Sequence, residues 1–178
     1  MDKKTYTIAD EYFFGSELLV APIVNAGGCR SVYFPKGSTY LEYFNKTSVD
    51  EGGTTTSVCL GLDAIPVHVQ EGATELRGDM YQGNNKWTKD WKPLLTIEVF
   101  PSLSVPGSRF SYFNDERDDG TKVGIVMTTN KRAKSVKVVY GDLGTEGTLV
   151  VYTTGGKMAK TIVEGGREVV FGGVNCLF

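Results

Sequence analysis

Acid–base and metal chemistry rest first on carboxylates, and these crowd most densely at Asp115, Glu116, Asp118 and Asp119, closed by Gly120. A calcium loop sets oxygen ligands at alternate positions and needs about six to eight of them. The spacing supplies part of such a set, and no bidentate Glu follows at the required distance. The cluster therefore reads as a polar turn between strands at 110–113 and 123–128 rather than as an acid/base pair or a cation loop. His68 is the sole histidine, in the alternating run Ile65-Pro66-Val67-His68-Val69. A general base needs a positioned nucleophile or an orienting carboxylate, and there is no GxSxG elbow. His68 is expected to be a strand histidine, at the surface or hydrogen-bonded. Zinc requires three or four ligands at workable spacing, and only Cys59 lies near His68. Cys29, Cys59 and Cys176 are odd in number and widely spaced, fitting neither a disulfide framework nor a CxxC pair. They read as buried reduced thiols. Phosphate-cradling glycine motifs are missing as well. The sequence thus assigns no catalytic residue, no metal site and no cofactor.

Aromatics carry more information. Trp87 and Trp91 are the only tryptophans, with Tyr81 nearby, in a polar connecting stretch. Exposed rings can stack on the apolar faces of sugars, so Tyr81, Trp87 and Trp91 form a candidate carbohydrate-binding set. The favoured reading is that the rings fill the seam between two packed domains, where a large ring with one N–H donor fits well. The net charge of −2 and scattered basic residues leave no electrostatic footprint for nucleic acid. The densest basic run, Lys131, Arg132 and Lys134, is flanked by turn residues and reads as a solvated hairpin face. No apolar run approaches the roughly 20 residues that span a bilayer, so no membrane partner is expected. The N-terminal stretch MDKKTYTIADEYFF lacks the continuous apolar core of a signal peptide, and localisation stays open. Asn45-Lys46-Thr47 fits the N-glycosylation sequon, a pattern short enough to arise by chance.

The elements that must position these groups are strands. Gly-Gly pairs at 27–28, 52–53, 155–156, 165–166 and 172–173 separate stretches rich in Val, Thr, Tyr and Phe. Glycine supplies the positive φ of tight hairpin turns, and the residues between favour pleated, half-buried strands. Runs 95–100, 135–140, 148–153 and 168–171 alternate with period two, and no window of a dozen residues keeps a helical period. The predicted fold is all-β, two antiparallel β-sandwich domains in tandem. The polar, Gly/Asn-rich stretch around 77–86 marks the boundary. The division is a first sandwich at 1–76, a linker at 77–92 and a second sandwich at 93–178.

Several motifs then occur in a telling order. The run from Asp10 to Val24, ending Leu19-Val20-Ala21-Pro22-Ile23-Val24, resembles the segment that follows the catalytic barrel in glycoside hydrolase family 31. Its physical reading is a buried strand stopped by a proline. Val32-Tyr33-Phe34-Pro35-Lys36-Gly37 is similar to the family's Val-Tyr-Leu-Pro-x-Gly, and the aromatic strand from Tyr40 to Phe44 follows it. Leu62 to Ala73, with Ile65-Pro66-Val67-His68-Val69, is similar to the family's Leu-x-x-Ile-Pro-Val-Phe-Val-Arg-x-Gly. Leu94–Pro101 and Phe110–Asp115 resemble the opening strands of the family's last domain. The resemblance spans roughly residues 2–128 and departs at His68, Tyr40 and Phe44, where the family usually carries an aromatic or tryptophans. It implies a proximal and a distal C-terminal β-sandwich. It further implies that both catalytic carboxylates, nucleophile and acid/base in retaining members, sit on a barrel upstream of Asp10. The expected partner is then the catalytic (β/α)8 barrel of a parent α-glycosidase, α-glucosyltransferase or α-glucan lyase, and this chain would be a domain or cleavage product of it. A second reading is a carbohydrate-binding module that tethers the parent to α-glucan or oligosaccharide. A third is a small hydrolase using Asp115, Asp118 or Asp119.

Overall fold

The computed structural model describes residues 2–46, 48–61, 63–78, 94–113, 122–162, 165–176 and 178. Tyr81, Trp87, Trp91 and the acidic cluster at 115–119 lie outside the described residues. Among those described, the regular structure is one 3-10 turn, Lys3–Thr7, and fifteen strands. The chain falls into two compact units, Met1–Glu71 with Phe178, and Gly72–Leu177.

The first unit holds β1 (Tyr12–Phe14), β2 (Leu18–Val20), β3 (Cys29–Tyr33), β4 (Thr39–Glu42), β5 (Val49–Glu51), β6 (Thr55–Cys59) and β7 (Val67–Gln70). A five-stranded sheet runs β1-β2-β7-β4-β5 with every pair antiparallel, and β3 pairs β6 antiparallel. The two sheets share a core of Leu19, Ala21, Val32, Phe34 and Tyr40, with Val58 packed against it. The aromatic strand β4 buries both Tyr40 and Leu41, which point to opposite faces. In the sheet it lies between β7 and β5.

The second unit holds β8 (Thr74–Gly78), β9 (Leu95–Val99), β10 (Gly107–Phe113), β11 (Lys122–Asn130), β12 (Ser135–Tyr140), β13 (Gly147–Thr153), β14 (Gly156–Ile162) and β15 (Arg167–Gly172). Its sheets run β10-β11-β12-β15 and β14-β13-β9-β8. The alternation read from the sequence is realised in β11, whose Val123, Ile125 and Met127 face inward while Lys122, Gly124, Thr128 and Asn130 face out. These side chains meet Leu95, Ile97 and Val99 of β9 and Leu149 and Val151 of β13 in one core. Gly156, at φ +106°, opens β14 after the tight β13–β14 turn, a conformation costly for other residues.

Two features depart from the sequence-based picture. The pair β9–β13 is parallel, Leu95 standing opposite Gly147 and Val99 opposite Val151, whereas every other pair among the described residues is antiparallel. Strands β10, β11 and β12 intervene in the other sheet, so the chain re-enters beside β9 in the same direction. Strand β8, which the sequence division splits between the first sandwich (to 76) and the linker (from 77), is hydrogen-bonded along β9, Leu76 opposite Ile97.

Candidate functional site

In the first unit, the chain from Asp2 to Phe14 is fastened by polar side chains while its aromatic rings point away from the core. Asp2 caps the 3-10 turn by accepting from the Lys4 N–H. Its other oxygen accepts from the Tyr33 hydroxyl at 2.7 Å and from the Lys36 N–H at 2.9 Å. The Lys36 and Tyr33 bonds lower the Asp2 pKa, and the same carboxylate pushes the Tyr33 phenol up to about 12. A second clamp centres on Arg30 of β3. Its guanidinium donates to the Asp10 carbonyl at 2.7 Å and the Pro22 carbonyl at 2.8 Å. It also meets the Glu11 carboxylate at 2.9 Å and that of Asp10 at 3.0 Å. Glu11 accepts in addition from the Tyr33 N–H. The Arg30 and Glu11 side chains are buried, and burial raises the Glu11 pKa despite the Tyr33 and Arg30 contacts. A buried pair of this kind is stable only with such extra hydrogen bonds.

Strand β1 is thereby held at the sheet edge with Tyr12 53%, Phe13 40% and Phe14 69% exposed, and Tyr6 just before it is 67% exposed. The buried strand that the sequence places ahead of Pro22 is the next one, β2. Strand β2 is buried through Leu19 and Val20, but β1 is the edge, and no strand of the sheet covers its free side. Beside it lies a cleft of about 90 Å³ lined by Ile8, Tyr12, Phe13, Leu19, Tyr33 and Pro35, among others. Exposed rings beside a cleft make this edge a candidate contact surface. Sequence reasoning did not single out these rings; the signal was their position ahead of the Gly15 turn, at the outermost strand.

The other predicted groups fall as follows. His68 sits on the central strand β7, 2% exposed, edge-on to Phe34 with ring centroids 4.8 Å apart. It is neither at the surface nor hydrogen-bonded through Nδ1, which is buried without a partner. Burial lowers its pKa, against the opposing pull of Asp50 and Glu42. Cys29 and Cys59 are not reduced thiols: they stand directly opposite in the β3–β6 pair and form a disulfide. Thirty residues separate them, and only the pairing of β3 with β6 brings them together. Cys176 is free.

In the second unit, Glu98 of β9 is buried, accepting from the Tyr152 hydroxyl at 2.6 Å, with Arg77 at 3.5 Å. Burial and Glu98 raise the Tyr152 pKa, and its ring stacks on Phe100. Glu11, Glu71 and Glu98 are each tied into the fold, Glu71 by accepting from the Thr39 N–H. Among the described residues, no group of three His, Cys, Asp or Glu could hold a metal ion.

Residues 1–74 match the Glycosyl hydrolase family 31 C-terminal domain. The chain is 34% identical over 80 residues to Alpha-glucosidase 2 of Bacillus thermoamyloliquefaciens, covering 44% of this chain and 10% of that protein. It is 37% identical over 73 residues to the Isomaltosyltransferase of Sporosarcina globispora, covering 40% of this chain and 6% of that one. The fold matches the crystal structure of the Listeria monocytogenes protein lmo2446 in complex with glucose, magnesium and calcium, at a TM-score of 0.79 and 24% identity. That match covers 98% of this chain and 20% of the other. The chain thus spans about a tenth of the curated relatives and a fifth of the solved one. The motifs in order, the matched residues 1–74 and an all-β fold shared along nearly its whole length make this chain similar to the C-terminal β-sandwich region of glycosyl hydrolase family 31.

Proposed function

We propose that this chain is the non-catalytic C-terminal part of a larger enzyme acting on α-glycosidic bonds, and that β1 docks it onto the catalytic barrel of that enzyme. The observation that carries the reading is the outward-facing Tyr12-Phe13-Phe14 strand, held in place by the Arg30–Glu11 and Asp2–Tyr33 clamps. Rigid backbone under exposed rings is what a permanent partner surface requires, because little ordering entropy remains to be lost on contact. Covering each half-exposed ring is worth on the order of 2 kcal/mol at ordinary apolar transfer values. The relatives add support: an α-glucosidase and an isomaltosyltransferase match segments of similar length in this chain. A region common to hydrolysis and transfer is expected to support the barrel rather than choose the reaction.

The test is reconstitution. With the parent barrel and this chain produced as separate polypeptides, the two are expected to co-elute. The double substitution Phe13→Ser and Phe14→Ser is expected to abolish co-elution while leaving the thermal midpoint of the isolated chain in place. The chain alone is expected to release no aglycone from aryl α-glucosides. Turnover by the chain alone, or undiminished association of the double variant, would sink the proposal.

A further inference from the structure

We propose that Asn45 is an N-glycan acceptor and that the chain matures in an oxidising, glycan-transferring compartment. Two independent observations lead there. The first is the acceptor itself. Asn45-Lys46-Thr47 is the one Asn-x-Ser/Thr sequence in the chain, although the chain has seven asparagines, and the middle residue is not proline. Asn45 is exposed, in the turn that joins β4 to β5. The turn is built without the Asn45 side chain: the Glu42 carboxylate accepts from the Phe44 N–H at 3.1 Å and the Asn45 N–H at 2.5 Å, and the Lys46 N–H donates to the Glu42 carbonyl at 3.1 Å. Among the described residues none is hydrogen-bonded to the Asn45 carboxamide, and Asn45 is exposed.

The second observation is the Cys29–Cys59 disulfide in the same unit, with both cysteines exposed. Disulfides persist where thiols are kept oxidised, and in the reducing cytosol they are rare. Among the oxidising settings that sustain such a bond, the ER lumen is also one in which sequons are modified. In the transfer, Asn45 Nδ2 forms a bond to the anomeric carbon of a lipid-diphosphate-linked oligosaccharide. The bond from that carbon to the diphosphate oxygen breaks, the lipid diphosphate leaves with the electron pair, and Nδ2 gives up one proton to solvent.

The placement is also compatible with docking. Strand order β1-β2-β7-β4-β5 sets β4 three strands from β1, about 14 Å across the sheet at the usual strand spacing. A glycan on the β4–β5 turn leaves the aromatic strand uncovered.

The full chain, secreted from a eukaryotic host behind a cleavable leader, tests this by peptide mass spectrometry. The Asn45 peptide is expected to carry one glycan that an amidase removes, converting Asn45 to Asp. Asn45→Gln and Thr47→Ala are expected to lose the glycan, and Thr47→Ser to keep it. Non-reducing digestion is expected to recover Cys29 and Cys59 as one linked peptide. An unmodified Asn45 in the secreted, folded chain would overturn the acceptor assignment. Alkylatable Cys29 and Cys59 in that chain would overturn the compartment.

Discussion

A neutral imidazole on the central strand of the first unit couples its stability to pH. His68 is packed against Phe34, its Nδ1 lacks a partner, and burial outweighs the nearby Asp50 and Glu42 in setting its pKa below the ordinary value. The unfolded chain therefore takes up the proton first. The stability linked to His68 is fully present above the unfolded pKa of about 6.5 and drains away as pH falls below it toward the folded pKa. Urea unfolding at pH 7.5 and pH 5 is expected to find a weaker first unit at the lower pH, and His68→Phe is expected to remove most of that difference. A slope unchanged by the substitution would assign the acid sensitivity elsewhere. At the same scale, Trp87 and Trp91 report on sugar directly, being the only tryptophans in the chain. Under the docking proposal, millimolar maltooligosaccharide leaves their fluorescence unchanged; a saturable change would support carbohydrate binding by this chain.

Strand β13 enters the second unit beside β9 so closely that its first residue admits no side chain. A Cβ at Gly147 would stand 2.0 Å from the Leu95 carbonyl oxygen and 3.1 Å from Ile162. The oxygen belongs to backbone that is already hydrogen-bonded into the sheet, so it cannot retreat alone. Gly147→Ala is expected to destabilise the unit by about 2 kcal/mol, read as a lower urea midpoint. Gly124→Ala is the control: it lies on the outer face of β11 with nothing within reach of its Cβ, and is expected to be near neutral. Equal effects of the two would mean that close backbone approach is not what requires glycine at 147.

The chain as a whole consists of two compact units, and the disulfide belongs entirely to the first. Closing a loop of 30 residues stabilises by about 3.5 kcal/mol, chiefly through the unfolded chain. Reduction, or Cys29→Ser with Cys59→Ser, is expected to lower the thermal transition of the first unit and leave that of the second in place. Calorimetry with and without reductant measures both. A shift of both transitions together would indicate a single cooperative unit.

Strand content and much of the strand positions were legible in the residues themselves. Period-two alternation in 135–140, 148–153 and 168–171 became β12, β13 and β15, and ordered motifs pointed to the family. Alternation reads correctly wherever one face of a strand is covered, because it encodes which side chains leave water. It misleads where both faces are buried, as at Tyr40, Leu41 and His68. That condition is not a property of the local sequence, since it depends on what packs against the strand. The Cys29–Cys59 bond, the parallel β9–β13 pair and the transfer of β8 to the second unit's sheet were likewise decided by tertiary structure. Each joins residues far apart along the chain, and pairing partners at that distance are chosen by packing of the whole unit rather than by the residues between.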